Sequence, residues 1–233
     1  MIGQPILSLI KFFYTLFGNY GLAIILLTLI IKLVLLPLTK TSYTSMKAMQ
    51  DLQPEIASLR ERVKDPSQLN QELMGLYKKK GVNPMGGCLP MVLQFPVFLG
   101  MFNALQNSID LRHAPFALWV NDLSVPEALP LFGYSIPFMI LLMGATMFLQ
   151  QLTMPSAGDP AQKKMMLFMP VIFTGMFLIY PFPSGLVLYW LINNIISILQ
   201  QKFMTGGKKY NVFQITIISS LVIFFLAFIL TLI

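Results

Sequence analysis

Few residues of this 233-residue chain can do chemistry, and the one that stands out is a lysine set in an apolar run. Lys32 is the sole charge between Tyr20 and Leu38. A lysine near the centre of a membrane helix costs about 2.5–3.5 kcal/mol on insertion scales, so something must offset it. No Asp or Glu stands in any of the six long apolar stretches, which excludes a buried ion pair. The ammonium must find water, carbonyls, neutral polar groups or a ligand. Thr28 lies one turn earlier on the same face. Gln94, the pair Thr146 and Gln150, and the ridge Asn193, Ser197 and Gln201 place further neutral polar groups in other stretches. Singly, each reads as an interhelical hydrogen-bond partner. With an unpaired lysine they predict a hydrated cavity leaning toward one side of the membrane. The competing reading has the Lys32 stem snorkel to the nearer interface.

Other chemistries close quickly. One cysteine excludes a disulfide framework or a Cys-rich zinc site, and one histidine leaves no pair for a metal or a relay. Two membrane aspartates and a Gly-x-Ser-x-Gly elbow are both missing, which excludes an intramembrane protease. His113, beside Arg112, reads as a solvated loop residue, and Cys88, after Gly86-Gly87, as a small packing residue. No catalytic residue, metal, cofactor or small-molecule substrate is expected.

The elements that must hold these residues follow from composition. Hydrophobic side chains make up 56% of the chain and charged ones 11%, against about 25% charged in soluble domains, so the chain lives in a membrane. The mean hydropathy is +0.71. Stretches of the required length, roughly 20 residues for ~30 Å of hydrocarbon, run about 20–38, 88–105, 131–152, 165–180, 184–200 and 212–233. Thirteen of the sixteen basic residues fall in three alternate connections: eight from Lys40 to Lys80, then Lys163 and Lys164, then Lys202, Lys208 and Lys209. The positive-inside rule then sets the N-terminus outside, 40–80 in the cytoplasm and the last span ending outside. Arg112, Asp110, Asp122 and Glu127 belong to an outer loop. Pro5 to Phe17 is apolar but too short to cross, and reads as an interfacial helix rather than a signal peptide, since no small-residue cleavage site follows.

Between Lys40 and Gly81, Met49, Leu52, Ile56, Leu59 and Val63 recur at steps of three and four. Asp65-Pro66 gives an N-cap and a proline first position, and Leu69, Leu73 and Leu76 resume the pattern until Gly81. Two antiparallel helices are predicted, either a plain structural linker or a platform whose Lys47, Arg60, Arg62, Lys64, Lys78, Lys79 and Lys80 meet an acidic partner. Sixteen methionines, Met91, Met143 and Met169 among them, give an adaptable greasy surface or ordinary packing.

A collinear series of strings now resembles a known family: Pro37-Leu38-Thr39-Lys40, Tyr43-Thr44-Ser45-Met46, Leu52-Gln53-Pro54, Asn83-Pro84-Met85-Gly86-Gly87-Cys88, Gln94-Phe95-Pro96, Ala114-Pro115-Phe116-Ala117-Leu118-Trp119 and Phe182-Pro183-Ser184-Gly185-Leu186-Val187-Leu188-Tyr189. Over about 14–204 the chain is similar to the YidC-type membrane protein insertases. The resemblance implies an all-α polytopic protein: an interfacial helix at 1–18, a transmembrane helix at 19–39, a cytoplasmic hairpin at 40–84 and four transmembrane helices at 85–204. A basic linker and an additional transmembrane helix occupy 205–233. It further implies a hydrophilic groove open to cytoplasm and lipid and closed outside, with Lys32, Thr28, Gln94, Phe98 and Tyr189 on groove or substrate-facing positions; the polar ridge adds Asn193. Many bacterial members carry arginine where Lys32 stands, so the planar fork for bidentate carboxylate capture is lost. The implied partners are nascent membrane proteins, the ribosome, the Sec translocon and lipid, in a bacterial inner membrane and without nucleotide hydrolysis. The expected exit for a client's apolar segment lies along the third and fifth stretches. Gram-negative members usually carry a further anchor and a periplasmic domain; the sequence reads as a trimmed piece or a minimal natural form. The alternative function, a small transporter or channel, predicts an internal repeat or an acidic coupling residue, and the sequence holds neither.

Overall fold

The computed structural model describes residues 3–83, 86, 89–106, 108–131, 133–154, 160–180, 182–205 and 212–232. Expectations on Pro84, Met85, Gly87, Cys88, Pro181, Lys208 and Lys209 fall outside these, as do the side chains of Met91 and Lys163. The described residues form ten α-helices and one small antiparallel sheet, so the fold is all-α. The helices are α1 (Gly3–Phe17), α2 (Tyr20–Val34), α3 (Leu36–Asp51), α4 (Gln53–Arg62), α5 (Pro66–Lys80), α6 (Leu89–Gln106), α7 (Phe138–Thr153), α8 (Pro160–Ile179), α9 (Ser184–Thr205) and α10 (Val212–Leu232). The strands β1 (Leu129–Leu131) and β2 (Tyr134–Ile136) precede α7.

Two expected spans differ in extent. The first stops at Val34, because Pro37 has no N–H to give and its ring crowds the preceding turn; α2 and α3 meet at Leu35 with a bend of 61°. Lys32 therefore sits in the last turn of α2 rather than near the middle of a long helix. There the partial negative charge of the helix end favours a cation. The third begins late: Pro130, Gly133 at φ 82° and Pro137 turn 129–136 into a hairpin, and the helix starts at Phe138. By length and composition α10 can cross a membrane alone, and α2 with α3 can do so as a bent pair.

The hairpin follows its sequence signals. Asp65 accepts from the Ser67 N–H at 3.1 Å, Pro66 opens α5, and Gly81, at φ 65°, closes it. Leu52, Ile56, Leu59 and Leu73 form its own small core. The first arm breaks into α3 and α4, with Pro54 in the first turn of α4.

Helix α1 buries Ile6, Ile10 and Phe13 against α2 and α6 and leaves Leu9, Phe12 and Leu16 exposed, as an interfacial helix requires. A hydrogen bond from Lys11 holds the Asp110 carboxyl below its usual range, at a Nζ to Oδ2 distance of 2.6 Å. Both groups are half exposed, so the apolar face supplies the anchorage.

The core is lopsided. Its members are Leu22 to Leu29 of α2, Met101 to Leu105 of α6, Met139 to Met143 of α7, Phe177 of α8 and Leu186 to Ile196 of α9, with Leu111, Val120 and Leu123 from the segment before β1. The segment before β1 enters this core at the loop end, and along α9 the core runs as far as Ile196, beside Ser197. Toward the opposite, hairpin end, α6 and α8 expose Val92, Phe95, Met165, Phe168 and Ile172.

Candidate functional site

Helix α9 is the spine of the site. Tyr189, Asn193 and Ser197 recur every four residues and share one face, spanning about 12 Å at ~1.5 Å per residue. All three are buried. Lys32, half-buried on α2, donates from Nζ to Ser197 Oγ at 2.6 Å, and Ser197 Oγ donates on to the Asn193 carbonyl at 2.8 Å. One turn along α9, Gln94 of α6 donates from Nε2 to the Tyr189 hydroxyl. Phe98 stands one turn from Gln94 with its ring edge-on to Trp190, centroids 5.1 Å apart. Lys32, Gln94, Phe98, Tyr189 and Asn193 thus gather around α9.

Thr28 does not join them through its hydroxyl. It is fully buried and donates to the Ile24 carbonyl of its own helix at 2.7 Å. The polar stripe on α2 is therefore Lys32 alone. No carboxylate lies within ion-pair distance of Lys32 among the described residues.

The rest of the polar ridge ties helices together. Asn194 donates to Thr146 at 3.4 Å, and Thr153 donates to Gln201 at 3.1 Å, locking α7 to α9. Helices α7 and α9, the third and fifth stretches, pack closely against each other. The weak seam is elsewhere. Helix α8 packs closely against α7, where Gly144 leaves room for Thr174, while α6 packs against α1 and, more thinly, α3 and α9. Helices α6 and α8 approach each other only weakly among the described residues. At the loop end Phe98, Phe173 and Phe177 converge on Trp190, and Phe182 stacks on Phe177 at 4.3 Å. The gap between α6 and α8 is thereby bridged by rings at the loop end.

Sequence reasoning missed Asn194, Gln200, Trp190 and Glu127. Gln200 lies seven residues after Asn193 and could have been read from that spacing; it donates to Thr216 of α10 at 3.4 Å. Trp190 carries no signal beyond its size. Helix α10 packs on α2 and α9 through Thr216, Ser220 and Ala227.

Of the hairpin cations, Lys47, Lys64, Lys78 and Lys79 are exposed. Arg62 pairs with Glu72 at 3.5 Å and Lys80 with Glu55 at 2.5 Å, across the two arms. Arg60 is half-buried.

Known proteins match this arrangement. The family model described as the 60Kd inner membrane protein matches residues 12–211. The chain is 51% identical over 207 residues to the membrane protein insertase YidC of Syntrophobacter fumaroxidans, covering 86% of this chain and 37% of that protein. It is 54% identical over 211 residues to the protein of the same name from Pelobacter propionicus, covering 88% and 38%. The chain thus spans well under half the length of these curated relatives. The solved structure described as an active YidC insertase crystal structure with the first transmembrane domain resolved superposes with a TM-score of 0.64 at 29% identity, over 84% of this chain and 45% of that one. The matched family region stops just before α10.

Proposed function

The chain belongs to the 60Kd inner membrane protein family, and on that premise we propose that it acts as a membrane protein insertase. It takes hydrophobic segments of nascent membrane proteins into a wet recess open toward the hairpin end. It releases them sideways into lipid through the weak seam between α6 and α8, without nucleotide hydrolysis and without a cofactor. The observation that carries the reading is Lys32: a cation on α2 that, among the described residues, has Ser197 Oγ as its hydrogen-bond partner and no carboxylate within ion-pair distance.

The mechanism follows from where the groups stand. A client crossing the bilayer must move a short polar flank through hydrocarbon. Lys32 is twelve residues along α2 from Tyr20, about 18 Å below the loop end of that helix at ~1.5 Å per residue. It attracts acidic groups of the flank to that depth, and the neutral hydroxyls and amides of α9 replace part of their water. The remaining path is then about 18 Å instead of the full ~30 Å of hydrocarbon. A membrane potential positive outside then favours the acidic groups by ~2.3 kcal/mol per charge per 100 mV. The exposed Val92 and Phe95 of α6 and Met165, Phe168 and Ile172 of α8 offer the apolar segment a surface that grades into lipid. Partitioning of that segment drives the step.

In this reading the protein is a multi-pass protein of the bacterial plasma membrane with its N-terminus and loop end outside and the hairpin in the cytoplasm, a reading that the distribution of lysine and arginine supports. Lys47, Lys64, Lys78 and Lys79 are the cations of the hairpin left for the ribosome, with the Sec translocon as a further partner. Arg60, Arg62 and Lys80 lend charge to the same surface.

Lys32 variants test the reading. Lys32→Ala should impair clients with acidic flanks and spare those without, while Lys32→Arg should support both. Equal insertion by all three versions removes Lys32 from the mechanism.

A further inference from the structure

The sequence places Glu127 in an outer loop, yet the structure buries it to 7% exposure. Its two carboxylate oxygens serve different segments. Oε2 accepts from Trp119 Nε1 at 2.7 Å, and Oε1 accepts from the backbone N–H of Met139 in the first turn of α7. The residue preceding that helix, Pro137, offers no side-chain cap, so Glu127 supplies the anion that the N-terminus favours. The Trp119 ring also lies edge-on to Phe138, centroids 5.4 Å apart.

What Glu127 fastens is the segment 108–127. Leu111 and Leu123 are fully buried and Val120 nearly so, all within the helical core. The segment is tied to two more helix starts. Asn19, which caps α2, donates to the Phe116 carbonyl at 2.9 Å, and the Phe116 ring covers Gly21 so closely that a Cβ there would meet it at 2.0 Å. At the start of α9, Ser184 N–H donates to the Val125 carbonyl at 2.8 Å and Gly185 N–H to the Leu123 carbonyl at 3.0 Å. Outside the segment lies a crevice of about 470 Å³ bounded by Arg112, His113, Asp122, Ser124 and Pro183, so water reaches its outer side.

We propose that segment 108–127 is the plug that makes the loop end of the bundle impermeable, and that Glu127 is the positioning residue that holds it shut by clamping Trp119 to the start of α7. A wet recess entered from the hairpin end needs such a stop, or it becomes a leak for ions. The plug resists because its leucines are inserted in the helical core; the clamp matters because it gathers two buried donors for which, among the described residues, Glu127 is the acceptor. The proposal takes its wet recess from the insertase reading, and its readouts use no client, so a failure of one is distinguishable from a failure of the other.

The test uses the full chain in vesicles, loop end outward, with its only cysteine removed by Cys88→Ser and a reporter placed by Ser184→Cys, an isosteric change at a fully buried position outside the segment. In that background a membrane-impermeant maleimide should label the reporter slowly, and the vesicles should hold a potassium gradient. Glu127→Ala should raise the labelling rate roughly tenfold or more, because two buried donors lose their acceptor and the open state gains population accordingly. The potassium gradient should collapse faster. Trp119→Phe keeps the ring contact with Phe138 but gives up one donor, and should fall between the two. Glu127→Gln, which retains only one acceptor oxygen, should also be leaky. A thermal melt of each variant separates a loosened plug, seen as labelling below the transition, from global unfolding. Where Glu127→Ala does not accumulate, Trp119→Phe carries the test. Unchanged labelling and gradient in folded Glu127→Ala, or in Trp119→Phe in its place, overturns the proposal.

Discussion

A lysine inside an apolar helix declares itself in any sequence, but its partner does not. Ser197 lies 165 residues away, and only the four-residue ridge on α9 hinted that an acceptor stood in a facing helix. Ser197→Ala removes that acceptor and keeps the charge, so it should cost about 1 kcal/mol of stability while leaving clients with acidic flanks inserted. Thermal unfolding in detergent beside an insertion assay separates the two effects. Thr28 shows where residue-level reading stops. A threonine one turn from a lysine shares its face, yet its hydroxyl found a nearer acceptor in the Ile24 carbonyl, as a threonine in an apolar helix readily does. Glu127 was illegible for another reason: Trp119 sits in an irregular stretch with no period to read, and Met139 offers only its backbone N–H.

Elements were easier, because their signals are local. The Asp65-Pro66 start and the Gly81 stop of α5 lie where the sequence puts them, and Leu52, Ile56, Leu59 and Leu73 meet as the heptad spacing requires. This hairpin has a small core of its own, so Asp65→Ala should lower the opening free energy of α5 by about 1 kcal/mol. Hydrogen exchange would show faster α5 amides and unchanged amides in α2 and α9. The bend after α2 and the hairpin at 129–136 were hidden by hydropathy, which runs on through Pro37, Pro130 and Gly133 while the backbone does not. The packing of α7 on α8 was equally hidden, since it rests on one missing Cβ. At Gly144 an added Cβ would meet Thr174 Oγ1 at 2.3 Å, and that hydroxyl is fixed to the Pro170 carbonyl at 2.7 Å. Gly144→Ala should therefore cost about 1–3 kcal/mol, and adding Thr174→Ala should recover much of it in the same melt.

For the whole molecule, the lopsided core is the feature from which the function follows. The loop end is filled by helices, rings and an inserted segment; the hairpin end keeps a lysine, a stripe of neutral polar groups and a weak seam between α6 and α8. A bundle closed at one end and loose at the other hydrates from one side only, which separates an insertion device from a pore. Helix α10 lies beyond the matched family region and against α2 and α9, away from that seam, so it leaves the proposed exit free. The most direct measurement is site-specific crosslinking from full-length protein to a ribosome-stalled membrane segment, with the probe in turn at Lys32, Gln94 and Tyr189, and at Ile172 on the exposed face of α8. The account predicts crosslinks from all four, passing from the first three to Ile172 as the stalled segment lengthens. Crosslinks from Ile172 alone at every length would contradict it, for the client would then have entered the bilayer without visiting the lysine.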